Sequence, residues 1–480
     1  MSGEVTVTGF GVRTAFGTGA DALRRGVFAG KPAFTATTRF DTGPYRTAMA
    51  GVAGDGPGGV EGGALRYALA ECGDEALAMA GLAPGAEAAV LLGVAGDHTS
   101  VTRYWRGAGS DGRCGSDVAG CAHAAEPQMS QPRAPEKHPV RGASTDAGPV
   151  ADVGPAVGRE RATDARPATD PEQATDARPA TEPERATDAS PLETGRVGDA
   201  MPTDARRVAD AVPARLTELL AGELGLTGPR LTFTNACVAS AAALIHACRL
   251  ISSGRIDVAV CGGGYLVEEE TFGKFDSGRA LSRDGMVRPF SADRTGLLLG
   301  DGVAVVVLES AEHARRRGAR PLAGVVGWGA ASDAHHIAQP HPEGVGLARA
   351  ARQAMRLAGD PDGAALDYVN AHGTGTKYND GAETRGLRAA FPERAESIPV
   401  SSTKSTTGHL LEAAGVVEFV ITMLALTDGV LPPTAGFTAP DPECDLDYVP
   451  NEPRRADLRR ALTVNAAFGG ANTALVLERP

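Results

Sequence analysis

Three residues stand where they could do chemistry together: Cys237, His372 and His409. Cys237 follows the apolar run LTFT from Leu231 and opens a helix whose first turns read ACVASAAA. A thiol at a helix N-terminus faces unpaired backbone N–H groups and the positive end of the dipole, so a lowered pKa and a ready nucleophile are expected there. Taken alone such a cysteine more often packs than reacts; Cys248, on the far end of the same helix, and Cys261, in the next strand, are read as packing residues. His372 closes the strand LDYVNA and opens the glycine-rich turn HGTGT. His409 follows a second strand-to-helix turn, SSTKSTTGH, with Lys404 five residues upstream. A nucleophile and two imidazoles, each at a strand-to-loop transition, form a set suited to acyl transfer.

The elements that must hold these residues alternate between short apolar runs closed by glycine and longer helical stretches. VTVTGFG from Val5, AAVLLGVAG from Ala88, VAVVVLES and the segment around Val325 read as buried strands. GVGLARAARQAMRLAG reads as a helix, IPVSS as a strand, about Gly408 to Leu426 as a helix, and LTVNAAFGGANTALVLE as a closing hairpin. Two successive mixed halves imply a layered α/β architecture. Between Arg106 and Arg215 there is no Phe, Trp, Tyr or Ile, and the only leucine is Leu192. ATDARPATDPEQ from Ala162 repeats as ATDARPATEPER from Ala174, a pattern rich in Pro, Asp, Thr and Ala. Such a stretch buries too little apolar surface to offset the entropy of ordering it, so a disordered insertion over about 108–205 is expected.

Composition narrows the function further. The chain has 480 residues and a net charge of -12, which argues against a nucleic-acid or membrane-surface partner. No apolar run reaches membrane-spanning length and the N-terminus has no secretory pattern, so a cytoplasmic protein is expected. The cysteines Cys72, Cys114, Cys121, Cys237, Cys248, Cys261 and Cys444 are scattered and form no CxxC, so neither a disulfide framework nor a zinc ribbon is indicated. His335 and His336 lack further ligands at suitable spacing, Cys114, Cys121 and His123 fall in the insertion, and the GGG at 262–264 lacks the GxGxxG pattern. No metal and no nucleotide cofactor are expected.

TNACVASAAAL, AHGTGTKYND and SSTKSTTGHLLEAAG, in this order and with these separations, resemble the signature segments of elongating β-ketoacyl-ACP synthases, the Cys-His-His members of the thiolase-like superfamily. RPFSADRTGLLLGDGVAVVVLE, SDAHHIAQP and NAAFGGANTALVLE extend the resemblance over nearly everything except the insertion. It implies an α/β thiolase-like fold of two similar halves, 1–262 and 263–480, in five αβαβα layers. It implies that Cys237 carries the acyl chain, that the backbone N–H groups of Cys237 and Phe468 form an oxyanion hole, and that Gly469 with Gly470 lets this gate move. His372 and His409 would hold the malonyl thioester carbonyl during decarboxylation. Lys404 would orient the site with Glu418 as its partner, Thr374 and Thr376 would bind the phosphopantetheine arm, and Asp380 and Glu383 would be structural supports. The only carrier chemistry implied is phosphopantetheine on an acyl carrier protein, with no cofactor of the enzyme's own.

Asn235 and Val238 beside the nucleophile, Ala338 in the segment near the malonyl group, and the insertion itself depart from the family pattern. They bear on the substrate more than on the reaction, and favour a polyketide or related pathway. The same three residues also fit acyl transfer or ring closure without malonyl extension. A non-elongating partner subunit is the remaining alternative, and the presence of Cys237 speaks against it. A homodimer or heterodimer is expected, paired through the small-residue helix after Cys237 and the adjacent strand IDVAV.

Overall fold

The computed structural model describes residues 4–53, 63–83, 85–97 and 210–480, all within one structural unit. The expected insertion at 108–205, with Cys114, Cys121 and His123, lies outside the described residues.

Ten strands run along one hydrogen-bonded path: β1 Val5–Thr14, β2 Ala89–Gly93, β3 Arg230–Phe233, β4 Val258–Tyr265, β5 Gly302–Ser310, β6 Ala323–Ser332, β7 Tyr368–Asn370, β8 Val400–Ser401, β9 Arg460–Ala466 and β10 Ala471–Glu478. Their spatial order is β8-β7-β9-β10-β6-β1-β5-β4-β2-β3. Each group of five consecutive strands therefore has the same internal order, third-second-fourth-fifth-first. The pairing senses match too: β3-β2-β4 and β8-β7-β9 are parallel, while β4-β5-β1 and β9-β10-β6 are antiparallel. The halves meet where β1 pairs antiparallel with β6, Val5 opposite Val325. The repeat changes over between Ser310 and Ala323, later than the 262/263 boundary expected from sequence, because β5 completes the first half.

The principal helices repeat as well: α1 Ala64–Ala80, α2 Pro213–Glu223 and α3 Ala239–Ser252 in the first half, then α4 Glu269–Ser277, and α5 Val345–Leu357, α6 Lys377–Ala390 and α7 Ala414–Asp428 in the second. α3 and α7 each touch strands of both halves, whereas α1 and α2 cover the outer face of the first half and α5 that of the second, with α6 packed beside α5. The result is the five-layered thiolase-like arrangement. Strand alternation explains the layers. On β5, Val303, Val305 and Val307 join the outer core with α1, while Ala304, Val306 and Leu308 join the central core with α3 and α7. On β10, Ala474 and Val476 face the outer core and Leu475 and Leu477 the central one. α7 is buried on every side from Ala414 to Leu426, as a helix enclosed between two sheets must be.

Two expectations change. α7 does not begin near Gly408: a short helix Lys404–Thr407 ends at that glycine, whose φ of 78° breaks the helical path, and a 3-10 turn Leu411–Ala413 leads into α7. The small residues of α3 serve close contacts inside the subunit. A Cβ on Gly415 of α7 would lie 2.6 Å from the Ala241 backbone nitrogen, so the two central helices touch backbone to backbone. IDVAV enters β4, which is flanked by β2 and β5; among the described residues the edge strand on this side of the sheet is β3.

Candidate active site

The chain leaves β3 at Phe233, passes through Ala236 at φ 53°, and presents Cys237 in the 3-10 turn Ala236–Val238 before α3 begins. Cys237 is 7% exposed. Its thiol is pushed up to about 12, contrary to the lowering expected at a helix N-terminus. Burial is the main cause, the Glu412 carboxylate adds to it, and Lys404 and a backbone bond oppose it. The dipole favours thiolate only where the charge keeps solvent or partners; here desolvation prevails. Cys248 and Cys261 are fully buried packing residues as expected, Cys261 lying inside β4.

His372 stands on the turn after β7. Its own N–H and that of Gly373 both donate to the Glu383 carboxylate of α6, each at 2.7 Å. The Thr374 N–H donates to Asp380 at 3.1 Å, and the other Asp380 oxygen accepts from the Phe290 N–H at 2.8 Å. Asp380 and Glu383 thus pin the HGTGT turn from the first turns of α6, the structural role expected of them. Burial pushes Glu383 up to about 7 and raises Asp380 as well. His409 is fixed through its backbone: its N–H donates to Leu298 O at 2.7 Å and its carbonyl accepts from Gly300 N at 3.1 Å.

The His372 and His409 rings meet edge to face, centroids 5.3 Å apart at 86°. Burial, and then the Lys404 charge, hold both well below the usual histidine range, and His409 adds a smaller push on His372. Both are neutral imidazoles at physiological pH. Each Nδ1 is sealed from solvent without a hydrogen-bond partner.

Lys404 is buried behind the pair and bonded to Glu418 on α7, the partner expected from sequence. The second Glu418 oxygen accepts from Asn465 Nδ2 at 2.6 Å. Sequence reasoning missed Asn465 together with Asn370 and Thr463, whose buried side-chain polar atoms have no partner. The available signal was a polar residue at every second position of LTVNA and one in the apolar strand DYVN, on the faces that point inward with Ala461 and Tyr368.

At the mouth, the Phe468 side chain is 52% exposed and stacked on Phe275 of α4 at 5.7 Å, and Phe275 stands edge-on to His409 at 6.5 Å. Phe275 had not been singled out; it belongs to an amphipathic segment, TFGKF. Gly469 sits at φ 81° and its N–H donates to Ile337 O at 2.7 Å, tying the AFGG turn to the SDAHHIAQP loop. Thr374 and Thr376 bond hydroxyl to hydroxyl at 2.9 Å beside His372. His336 shapes the SDAHHIAQP loop, its Nδ1 accepting from Ala338 N at 3.0 Å and Gln339 N at 3.1 Å. Ala338 is exposed there, while Val238 is buried behind the nucleophile.

Among the described residues, no helix is long and apolar enough to cross a membrane. Residues 184–314 match the β-ketoacyl synthase N-terminal domain and residues 322–438 the β-ketoacyl synthase C-terminal domain. The ketoacyl synthase alpha subunit of the tetracenomycin polyketide synthase of Streptomyces glaucescens is 41% identical over 270 residues, 54% of this chain and 62% of that protein. 3-Oxoacyl-[acyl-carrier-protein] synthase 2 of Coxiella burnetii is 39% identical over 261 residues, 53% of this chain and 63% of that protein. The matched part is thus under two thirds of the length of these curated relatives. The solved structure of the ishigamide ketosynthase/chain length factor superposes with a TM-score of 0.75 at 27% identity and 100% coverage of both chains. A β-ketoacyl synthase from Burkholderia phymatum gives 0.74 at 25% identity, again over 100% of both. With its twice-repeated strand order, its thiol and its paired imidazoles, the chain belongs to the β-ketoacyl synthase family.

Proposed function

We propose that this protein is a β-ketoacyl synthase of polyketide biosynthesis, which takes an acyl chain from acyl carrier protein onto Cys237 and condenses it decarboxylatively with malonyl on acyl carrier protein. The observation that carries the reading is the pair of buried neutral imidazoles, 5.3 Å apart, that feel the same Lys404 charge as the buried Cys237 thiol. A neutral imidazole can donate Nε2–H to an oxygen that is gaining charge, without an imidazolium having to be buried beforehand.

In the first half-reaction Cys237 Sγ bonds to the thioester carbonyl carbon and the carbon–sulfur bond to pantetheine breaks. The thiol proton passes through a neutral imidazole to the departing pantetheine sulfur. The backbone N–H groups of Cys237 and Phe468 hold the tetrahedral oxyanion. In the second, the bond from the malonyl C2 to its carboxylate breaks and releases carbon dioxide, leaving the electron pair as an enolate. His372 and His409 hold the enolate oxygen, C2 bonds to the acyl carbon, the bond to Cys237 breaks, and the departing thiolate takes a proton supplied by solvent water. Lys404 and Glu418 keep the imidazoles neutral and in place, Thr374 and Thr376 bond the pantetheine arm, and Gly469 lets the Phe468 turn swing. The enzyme acts in the cytoplasm with no metal or nucleotide of its own. It pairs with a second synthase-type chain, identical or related, at the outer side of β3, which no strand covers among the described residues, since a sheet edge is a ready template for another strand.

Intact-protein mass after incubation with acyl-carrier thioester tests the first half-reaction. The wild type gains the acyl mass and Cys237→Ala does not; equal masses for the two would sink the enzyme reading.

A further inference from the structure

The run RPFSADRTG, from Arg288 to Gly296, is left without a role by the condensation steps. It forms the bed on which the HGTGT turn lies. Phe290 sits at φ 64°, a conformation that a bulky residue keeps only where its surroundings impose it, and such outliers gather at functional sites. Its N–H donates to Asp380 at 2.8 Å, its ring stacks on Tyr448 at 4.0 Å, and a Cβ on Gly373 would lie 2.9 Å from its Cε2. From the same run the Arg294 side chain, 2% exposed, reaches the turn itself. Its Nε donates to the Thr376 carbonyl at 3.3 Å and stands 3.7 Å from the Asp380 carboxylate, which is fully buried. Its Nη1 donates to Ser291 O at 2.8 Å and to the Asp441 carboxylate. Asp380 in turn accepts the Thr374 N–H at 3.1 Å, and the Thr374 and Thr376 hydroxyls bond to each other at 2.9 Å.

We propose that Arg294 is a positioning residue for the pantetheine arm: it fixes the Thr376 carbonyl directly and the Thr374 N–H through Asp380, so that the two threonine hydroxyls meet the arm already aligned. This rests on the assignment of the arm to Thr374 and Thr376 made above. Arginine suits the task because its planar guanidinium offers donors on Nε and Nη1 at once, whereas a lysine ammonium is a single point of attachment. Its charge also works against the burial that raises Asp380, after the larger help of the Phe290 N–H, and so favours the carboxylate that the Thr374 N–H needs as acceptor. His372 does not depend on Arg294 in the same way, since its own N–H and that of Gly373 both donate to Glu383. The arm contacts and the imidazole are therefore held by separate acids, and Arg294 serves the first.

The experiment follows acetylation of Cys237 by intact-protein mass in the full-length protein with two donors, acetyl-pantetheine and S-ethyl thioacetate, the second lacking the arm. Arg294→Lys keeps a cation beside Asp380 and Asp441 but gives up the fork. The ratio of the two loading rates, pantetheine over ethyl, is expected to fall about ten- to a hundredfold, the range that a misplacement of about 1 Å costs, while loading from the ethyl thioester stays as in wild type. Asp441, 15% exposed, touches Arg294 and not the turn, so Asp441→Asn should lower the ratio in the same direction by a smaller factor. An unchanged ratio in Arg294→Lys overturns the proposal, and so does an equal loss with both donors, which reports general damage to the fold. Where Arg294→Lys does not fold, Asp441→Asn decides, and an unchanged ratio there overturns the proposal. A wild type that loads equally from both donors also overturns it, because it has no preference for the arm. No carbon–carbon bond forms in this assay, so a wild type that prefers acetyl-pantetheine but never condenses sinks the condensation reading and leaves this one standing.

Discussion

Replacing Lys404 by methionine removes one member of an ion pair in which both side chains are 1% exposed. Glu418 keeps only its bond from Asn465 Nδ2, at 2.6 Å. Deleting one partner of such a pair leaves an uncompensated charge and costs about 3–5 kcal/mol. Burial already raises Glu418, so the orphaned carboxyl can take a proton, which holds the loss near the lower end, about 3 kcal/mol. For a folded unit this long that is roughly 3–6 °C in Tm, since the shift per kcal/mol shrinks with chain length. Thermal and denaturant unfolding of Lys404→Met, Glu418→Gln and the double variant form a cycle. The double variant is expected to be more stable than the sum of the single losses, because neither charge is left alone. Lys404→Met within about 0.5 kcal/mol of wild type, or strictly additive losses, would refute this account of the pair. Lys404 also holds both imidazoles down, so the acid limb of turnover should move to higher pH in the variant.

Further outcomes follow from the same geometry. His409 is held well below the usual range, so its folded form stays neutral while the unfolded chain takes a proton below about pH 6.5. Wild type should therefore lose stability relative to His409→Asn as pH falls through that point, by up to about 1.4 kcal/mol per unit, and a difference independent of pH contradicts the assignment. Gly469→Ala places a side chain at φ 81° with nothing within 4 Å to clash. It should cost only about 1 kcal/mol yet slow turnover several-fold, and unaltered turnover would remove Gly469 from the gate. Phe275→Ala frees Phe468 from its stacking partner and should change KM more than Tm, as steady-state kinetics and scanning fluorimetry will report.

The parts of this arrangement legible in sequence were local ones. Short apolar runs ending in glycine gave β1, β2 and β4, and the turns that carry Cys237, His372 and His409 stand at strand ends as their sequence suggested. Lys404 and Glu418 were paired correctly because their motif spacing leaves the helix that carries Glu418 beside the turn that carries Lys404. Non-local effects escaped. The helix dipole suggested a lowered Cys237 thiol, but burial outweighs it, and the Glu412 charge that adds to burial comes from the opposite half of the chain. The alanines of α3 resembled an interface because close backbone approach demands small residues whether the neighbour is α7 or another subunit. Gly408 stands where the helix was expected to begin, yet its positive φ delays α7 to Ala414. Thr463 and Asn465 share the parity of inward-facing Ala461, and Asn370 that of Tyr368, but which parity faces the site is set by packing against α7 and not by the strand itself.

A condensing enzyme must form a carbon–carbon bond after Cys237 is loaded. Enzyme carrying an acyl group on Cys237, mixed with malonyl carried on acyl carrier protein, should release one equivalent of carbon dioxide per chain transferred and leave a β-ketoacyl carrier two carbons longer, with free Cys237 regenerated. A loaded Cys237 that persists with no carbon dioxide, or a product of unchanged chain length, would contradict it.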